Sequence, residues 1–179
     1  MSRVSKEQAA RNRQAVVAAA SSLIRQKGLD GVGVRELMAS AGLTQGAFAK
    51  QFETKDALAA EACTFAFESA EQSLGAMSHG NALQLAEYYL SPKPPERACP
   101  MTTLAMDVAR SSKDSAFREA YTDGLERLVE LIAGNPVSKA RLTLLAAMVG
   151  ASILRKATGE YALMDQVEAA VLEFSRSID

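Results

Sequence analysis

The sequence predicts an all-α protein. Through most of the chain apolar residues recur at i, i+3, i+4 and i+7, the spacing of helix faces, and the strict alternation of strands is hard to find. Ala and Leu abound, Trp is absent and only 5 of 179 residues are Pro, which favours helix over a turn-rich β architecture. Gly- and Pro-containing breaks cut the pattern into about nine helices.

The first helix spans Ser5 to Lys27. Ser5 with Gln8 fits a capping box, and Val16, Ala20, Leu23 and Ile24 trace its apolar stripe. Arg3, Lys6, Arg11 and Arg13 cluster at its start, either as a solvated basic end or as phosphate contacts. Gly28 is placed to stop it, and residues 29–33 form a loop. Val34, Leu37, Met38 and Ala41 then mark a short helix ended by Gly42. Thr44 can cap a second short helix, Gln45–Phe52, which Phe48 and Phe52, four apart, anchor to a core. Two short helices about a Gly-containing turn describe a helix-turn-helix, whose second helix enters the DNA major groove.

Thr54 caps the next helix, with Asp56 favourable near the positive end of its dipole. Leu58, Ala62, Phe65 and Ala66 stripe this helix to about Ala76, before a break at residues 77–80. A short helix covers Asn81–Leu90, with Leu83, Leu85 and Ala86 as its apolar positions, and residues 91–95 are a Pro-rich loop. Pro100 suits a first helical turn, and one helix is expected over Met101–Ser112. Further helices are expected over Ser115–Ala133, Val137–Ala157 and Leu163–Ile178. The Val137–Ala157 helix is apolar around most of its circumference, so most of it must be buried. Its small residues, Ala146, Ala147, Gly150, Ala151 and Ser152, serve either packing within the chain or a homodimer seam; the pattern alone does not separate the two.

A length of 179 residues suits one compact unit or two small ones sharing a core. With 48% hydrophobic and 23% charged residues the chain is globular rather than disordered. No apolar run approaches the roughly 20 residues of a membrane span. The N-terminus lacks the apolar core of a signal peptide. Cys63 and Cys99 make no disulfide framework, so a cytoplasmic setting is expected. The single His, His79, has no second His or Cys at ligand spacing, and neither a phosphate-binding Gly loop nor a nucleophile elbow is visible. Neither an enzyme nor a cofactor is expected. Net charge is −1 but uneven: residues 1–58 hold 9 Lys/Arg against 5 Asp/Glu, and residues 59–179 hold 11 against 16. A basic head on an acidic body fits a polyanionic partner.

Residues 11–62 resemble the DNA-binding domain of the TetR family of transcriptional regulators. The matching features are Ala41-Gly42-Leu43-Thr44, Gly46, Phe48, Phe52, Thr54-Lys55-Asp56 and Leu58. Three positions depart from the family pattern. Ala49 stands where Tyr is usual, Gln51 where an aromatic or His is common, and Gly33 where Ser or Thr is usual.

The resemblance implies a three-helix head over residues 1–52 and a ligand-binding, dimerising body over 53–179. It implies a regulator, a repressor in the usual case, that binds a pseudo-palindromic double-stranded operator as a homodimer and is released by a small-molecule effector. DNA contact is then expected from Arg3, Lys6, Arg35, Thr44, Gln45, Gly46, Ala47, Lys50, Gln51 and Lys55. Gln45 and Gln51 have the chemistry for adenine, while Thr44 and Lys55 suit phosphate. Expected effector contacts are Phe65, Tyr88, Cys99, Met101, Leu104, Phe117 and Tyr121, each of which plain core packing would equally explain. Expected dimer contacts are Leu145, Met148, Val149, Ser152, Ile153, Val167 and Val171.

Two alternatives stay open. The run from Ala98-Cys99-Pro100 through Leu104-Ala105 to Asp107-Val108 resembles a pattern in TetR regulators that sense electrophiles or oxidants, although free Cys is more often structural. A helical adaptor without DNA binding is the other, given Ala49.

Overall fold

The structure, a computed structural model, describes residues 6–78 and 81–178. The expected cap at Ser5, the expected DNA contact at Arg3, and His79 lie outside them. Nine α-helices and two 3₁₀ turns make up the described chain. They are α1 (Lys6–Lys27), α2 (Val34–Ser40), a 3₁₀ helix (Gln45–Lys50), α3 (Lys55–Ser78), α4 (Ala82–Leu90), a 3₁₀ turn (Pro95–Arg97), α5 (Pro100–Thr103), α6 (Ala105–Arg110), α7 (Ala116–Ala133), α8 (Lys139–Thr158) and α9 (Ala162–Arg176). No strand occurs among the described residues.

Two compact units share these helices. The first runs up to Ala66 and takes in Pro95–Thr122; the second takes Phe67–Pro94 and the chain from Asp123 on. Helices α3 and α7 contribute to both. In the first unit Val16, Ala20 and Ile24 of α1 are buried, as are Leu37 and Met38 of α2 and Leu58, Ala59, Ala62 and Cys63 of α3. Met101, Leu104, Val108 and Phe117 complete this core. Each large aliphatic side chain so buried contributes about 1.5–3 kcal/mol, so the helical stripes largely account for the fold. In the second unit Phe67, Leu74, Leu85, Ala86, Leu128, Ile132, Leu144, Met148, Met164 and Val171 are buried.

Local chemistry sets the helix ends. Gly28 and Gly42 leave α1 and α2 with φ of +78° and +71°, which an L side chain adopts only with strain. Thr54 Oγ1 accepts the Ala57 N–H at 3.0 Å at the head of α3. Asn81 does the same for Gln84 at 2.8 Å, and Ser138 for Arg141 at 3.4 Å. Pro100 opens α5 as expected.

Three expectations need correction. The helix expected over 101–112 is two, α5 and α6, divided at Leu104. Thr102 and Thr103 both donate their hydroxyls back to the Cys99 carbonyl, at 2.8 and 3.1 Å, and such back-bonding bends a helix. The second helix of the helix-turn-helix is a 3₁₀ helix ending at Lys50, not an α-helix reaching Phe52. It is short, contains Gly46 and lacks a side-chain cap, so little stabilises the wider turn. Finally, the chain does not cover most of α8. Leu142, Ile153 and Leu154 are 42%, 40% and 47% exposed.

Candidate nucleic-acid interface

Helix α2 is seated by Leu37 and Met38, both fully buried. The chain then reverses through Gly42, whose N–H reaches the Ala39 carbonyl at 2.9 Å while the Leu43 N–H reaches Met38 at 2.9 Å. Thr44 is extended, at φ −81° and ψ 152°, and its carbonyl accepts the Ala47 N–H at 3.0 Å. The Thr44 hydroxyl makes no capping bond, contrary to expectation, and is left exposed. The result is a helix, a four-residue turn and a second short helix, with the turn's backbone hydrogen-bonded within itself.

On this unit the residues expected to meet DNA are accessible. Arg35, Thr44, Gln45, Gly46 and Lys50 are exposed, and Ala47 and Gln51 are half-buried. Lys6 is exposed in the first turn of α1. Lys55 is more engaged: its ammonium donates to the Leu29 carbonyl at 2.5 Å. The N–H of the same Leu29 donates to Asp107 Oδ2 at 3.1 Å, so the loop after α1 is clasped from α3 and from α6. Asp107 is only 7% exposed and also receives Arg110 at 2.6 Å. Its signal in the sequence is a lone carboxylate between Leu104 and Val108 on an apolar face.

Asp56 does more than favour its own helix start. Its carboxylate accepts the Ser115 hydroxyl at 2.6 Å and the Ala116 N–H at 3.0 Å, so it also caps α7. Arg13, in the basic start of α1, turns toward protein. It donates to the Gln51 carbonyl and to Glu61, with its guanidinium 4.3 Å from the centre of the Phe52 ring.

The expected effector residues differ in burial. Met101, Leu104 and Phe117 are buried, whereas Phe65 is 41% exposed and points out of its unit's core. Leu104 and Phe117 line a cleft with Ser21, Ile24, Ala59, Ala62 and Cys63 that has no room for a water molecule. Tyr121 donates to the Met101 carbonyl at 3.0 Å. Burial pushes its phenol up to about 12, and Cys99 and Cys63 add to the rise. Cys99 is half-buried at the N-cap of α5. Near it lies Arg25, a group that no sequence pattern singles out. This buried guanidinium donates to the Ser21 carbonyl at 3.0 Å and the Ala98 carbonyl at 3.2 Å. Burial holds its pKa below the usual arginine value, with Cys99 and Glu96 opposing the shift. Tyr88 is half-buried in the second unit.

Of the expected dimer residues, Leu145, Met148 and Val171 are buried inside the second unit and so are unavailable to a partner. The helical period that places Ile153 outside places Met148 inside. Val149, Ser152 and Val167 are half-buried, and Ile153 is exposed.

Comparison with known proteins bears on this geometry. The family model described as bacterial regulatory proteins, tetR family, matches residues 16–62, which run from the middle of α1 into the first third of α3. Over these residues the chain is similar to the TetR family. Solved structures share the fold of this chain over nearly its whole length. A TetR-family transcriptional regulator from Cytophaga hutchinsonii superposes with a TM-score of 0.77 at 21% identity, covering 99% of this chain and 98% of that one. The reduced form of E. coli NemR gives 0.72 at 21% identity, covering 90% and 95%. The multidrug binding protein EbrR, complexed with imidazole, gives 0.66 at 20% identity, covering 90% and 93%. No curated protein sequence matches the chain. The matched residues contain the helix-turn-helix, which supports a DNA-binding transcriptional regulator. Among the described residues no helix is long and apolar enough to cross a membrane, and no group of three His, Cys, Asp or Glu could hold a metal ion.

Proposed function

We propose that this chain is a TetR-family regulator, a repressor that binds a pseudo-palindromic operator as a homodimer and is released by a small molecule. Residues 1–52 do the reading, and residues 53–179 pair the copies and take the effector. The observation that carries the reading is the exposed row Thr44, Gln45, Gly46 and Lys50 on a turn whose backbone is hydrogen-bonded within itself. Such a row can reach base edges and phosphates without first being ordered.

Pairing is supported by the uncovered apolar side chains of α8 and α9. Leu142, Ile153, Leu154 and Leu163 are all more than a third exposed, and Val149 and Val167 are half-buried. A monomer rarely leaves so much apolar surface open. Two copies about a two-fold axis would read half-sites about 34–36 Å apart, or a multiple of that. Phosphate contacts from Lys6, Arg35, Lys50 and Lys55 would make affinity fall steeply with salt.

The test is selection of a duplex from a random library by the purified protein, followed by titration at several salt concentrations. A two-fold symmetric site whose affinity falls with salt is expected. If no duplex binds even at low salt, the reading is wrong.

A second reading is favoured by the buried Arg25 beside Cys99. The buried guanidinium interacts favourably with the charged form of this thiol, the form that reacts with electrophiles. Cys99→Ser should then abolish release of DNA by an added electrophile; release that persists in this variant rules the thiol out.

A further inference from the structure

We propose that Arg13, on α1, is the positioning residue of the DNA-reading helix. The inference rests on Gln45–Lys50 being that helix, and it concerns what holds it in place.

This helix has little of its own to hold it. It buries no residue, its N-terminus has no side-chain cap, and Ala49 offers only a methyl. Its Phe48 is half-buried, and the ring packs against Phe52 with centroids 5.7 Å apart. Just beyond the helix the chain is anchored more firmly, because Phe52 is 3% exposed.

Arg13 joins these parts. One nitrogen of its fork donates to the carbonyl of Gln51, directly after the helix, and the other to Glu61 of α3. The plane between them covers Phe52 at 4.3 Å. Helix ends leave carbonyls without intrahelical partners, and a cation there also suits the helix dipole. Glu61 and Phe52 orient the guanidinium, and the guanidinium in turn fixes the Gln51 peptide. The side chains of Lys50 and Gln51 leave the backbone at that point. One planar group therefore ties α1, the end of the reading helix and α3 together.

A lysine at this position could keep the charge and one hydrogen bond. It could not donate in two fixed directions while stacking on a ring. Base readout depends on placement to within about half an ångström, whereas attraction to phosphate does not. Arg13→Lys should therefore lose selectivity and keep general DNA affinity. If Arg13 were itself a phosphate contact, Lys would serve nearly as well.

The experiment compares wild type, Arg13→Lys and Arg11→Lys. Arg11 is a control on the same helix, with its side chain on Glu7 and Gln8 of α1 itself. Each protein is titrated with the duplex that wild type selects and with a scrambled duplex of equal length, at matched salt. Arg13→Lys is expected to lose about tenfold on the selected duplex, with the scrambled duplex and the salt slope unchanged. Arg11→Lys should change neither. A selected-to-scrambled ratio within twofold of wild type overturns the proposal. So does an equal loss on both duplexes with a shallower salt slope, which would make Arg13 a phosphate contact.

Amide exchange provides a readout without DNA. The Gln51 and Phe52 N–H groups donate to the Phe48 carbonyl at 2.8 and 2.9 Å. In Arg13→Lys their exchange should quicken about tenfold relative to core amides of α1; unchanged exchange also overturns the proposal. If Arg13→Lys does not fold, Glu61→Gln, which frees only one side of the fork, should quicken the same two amides. A wild-type protein that selects no duplex would defeat the proposed function, while the exchange result would still decide this one.

Discussion

Replacing Gly124 with Ala tests how closely α3 and α7 pack in the second unit. A Cβ built at Gly124 would lie 2.2 Å from Cγ, 2.4 Å from Cδ2 and 2.8 Å from Cβ of Phe67. Ordinary carbon contacts begin near 3.5 Å, so the backbones must part by about an ångström or the ring must turn. The ring has no free space, because Phe67 is 0% exposed. Overpacking of this kind costs about 1–3 kcal/mol, and Ala recovers up to about 1 kcal/mol over Gly in a helix interior. The net expectation is a loss of about 1–2 kcal/mol. For a chain of 179 residues this lowers the melting temperature by roughly 2–8 °C. Thermal melts followed by circular dichroism measure it. Phe67→Leu, combined with Gly124→Ala, should recover part of the loss, giving a coupling of about 1 kcal/mol in a double-mutant cycle. A Gly124→Ala protein as stable as wild type, or two effects that simply add, would refute the close-packing argument.

Asp56→Ala removes the acceptor for the Ser115 hydroxyl and the Ala116 N–H, and should destabilise the protein by about 1–2 kcal/mol in chemical denaturation, with Asp56→Asn losing less. Tyr121 should remain protonated until about pH 12, which ultraviolet titration of phenolate would follow. Its folded-state pKa lies above the unfolded value, so its contribution to stability is complete below pH 10 and is lost as pH rises from 10 toward 12; Tyr121→Phe should flatten that fall in alkaline melts. Ile153→Glu should give a monomer in analytical ultracentrifugation with little change in helix content, whereas Met148→Glu, at a fully buried position, should unfold the protein. Lys50→Ala should reduce the salt slope of DNA binding by about one, equally for the selected and the scrambled duplex.

The helices were legible in the sequence because each buries a stripe, and a stripe repeats. Val16, Ala20 and Ile24 of α1 and Leu37 and Met38 of α2 are buried as their spacing requires. Turns and helix starts were legible where chemistry leaves few choices, as at Gly42 with φ +71° and at the Thr54 cap. The pattern could not show which partner a polar group finds far along the chain. Asp107 meets Leu29 across 78 residues, Asp56 meets Ser115 across 59, and Arg13 meets Gln51 across 38. Asp56 and Arg13 read locally as helix-end residues, and the apolar face that marks Asp107 does not name its partner.

The candidate site divides along the same line. Its exposed row, Thr44 to Lys50, comes from local turn chemistry and could be named from the sequence. The contacts that set its placement come from α1 and α3, and only the fold brings them together. Ala49 makes this division sharper, because a small residue inside the reading helix moves the work of holding it onto Arg13, Phe52 and Glu61 outside it. The positions that determine how well this head discriminates among sequences therefore need not touch DNA. A search for specificity variants confined to Gln45, Lys50 and Gln51 would miss them.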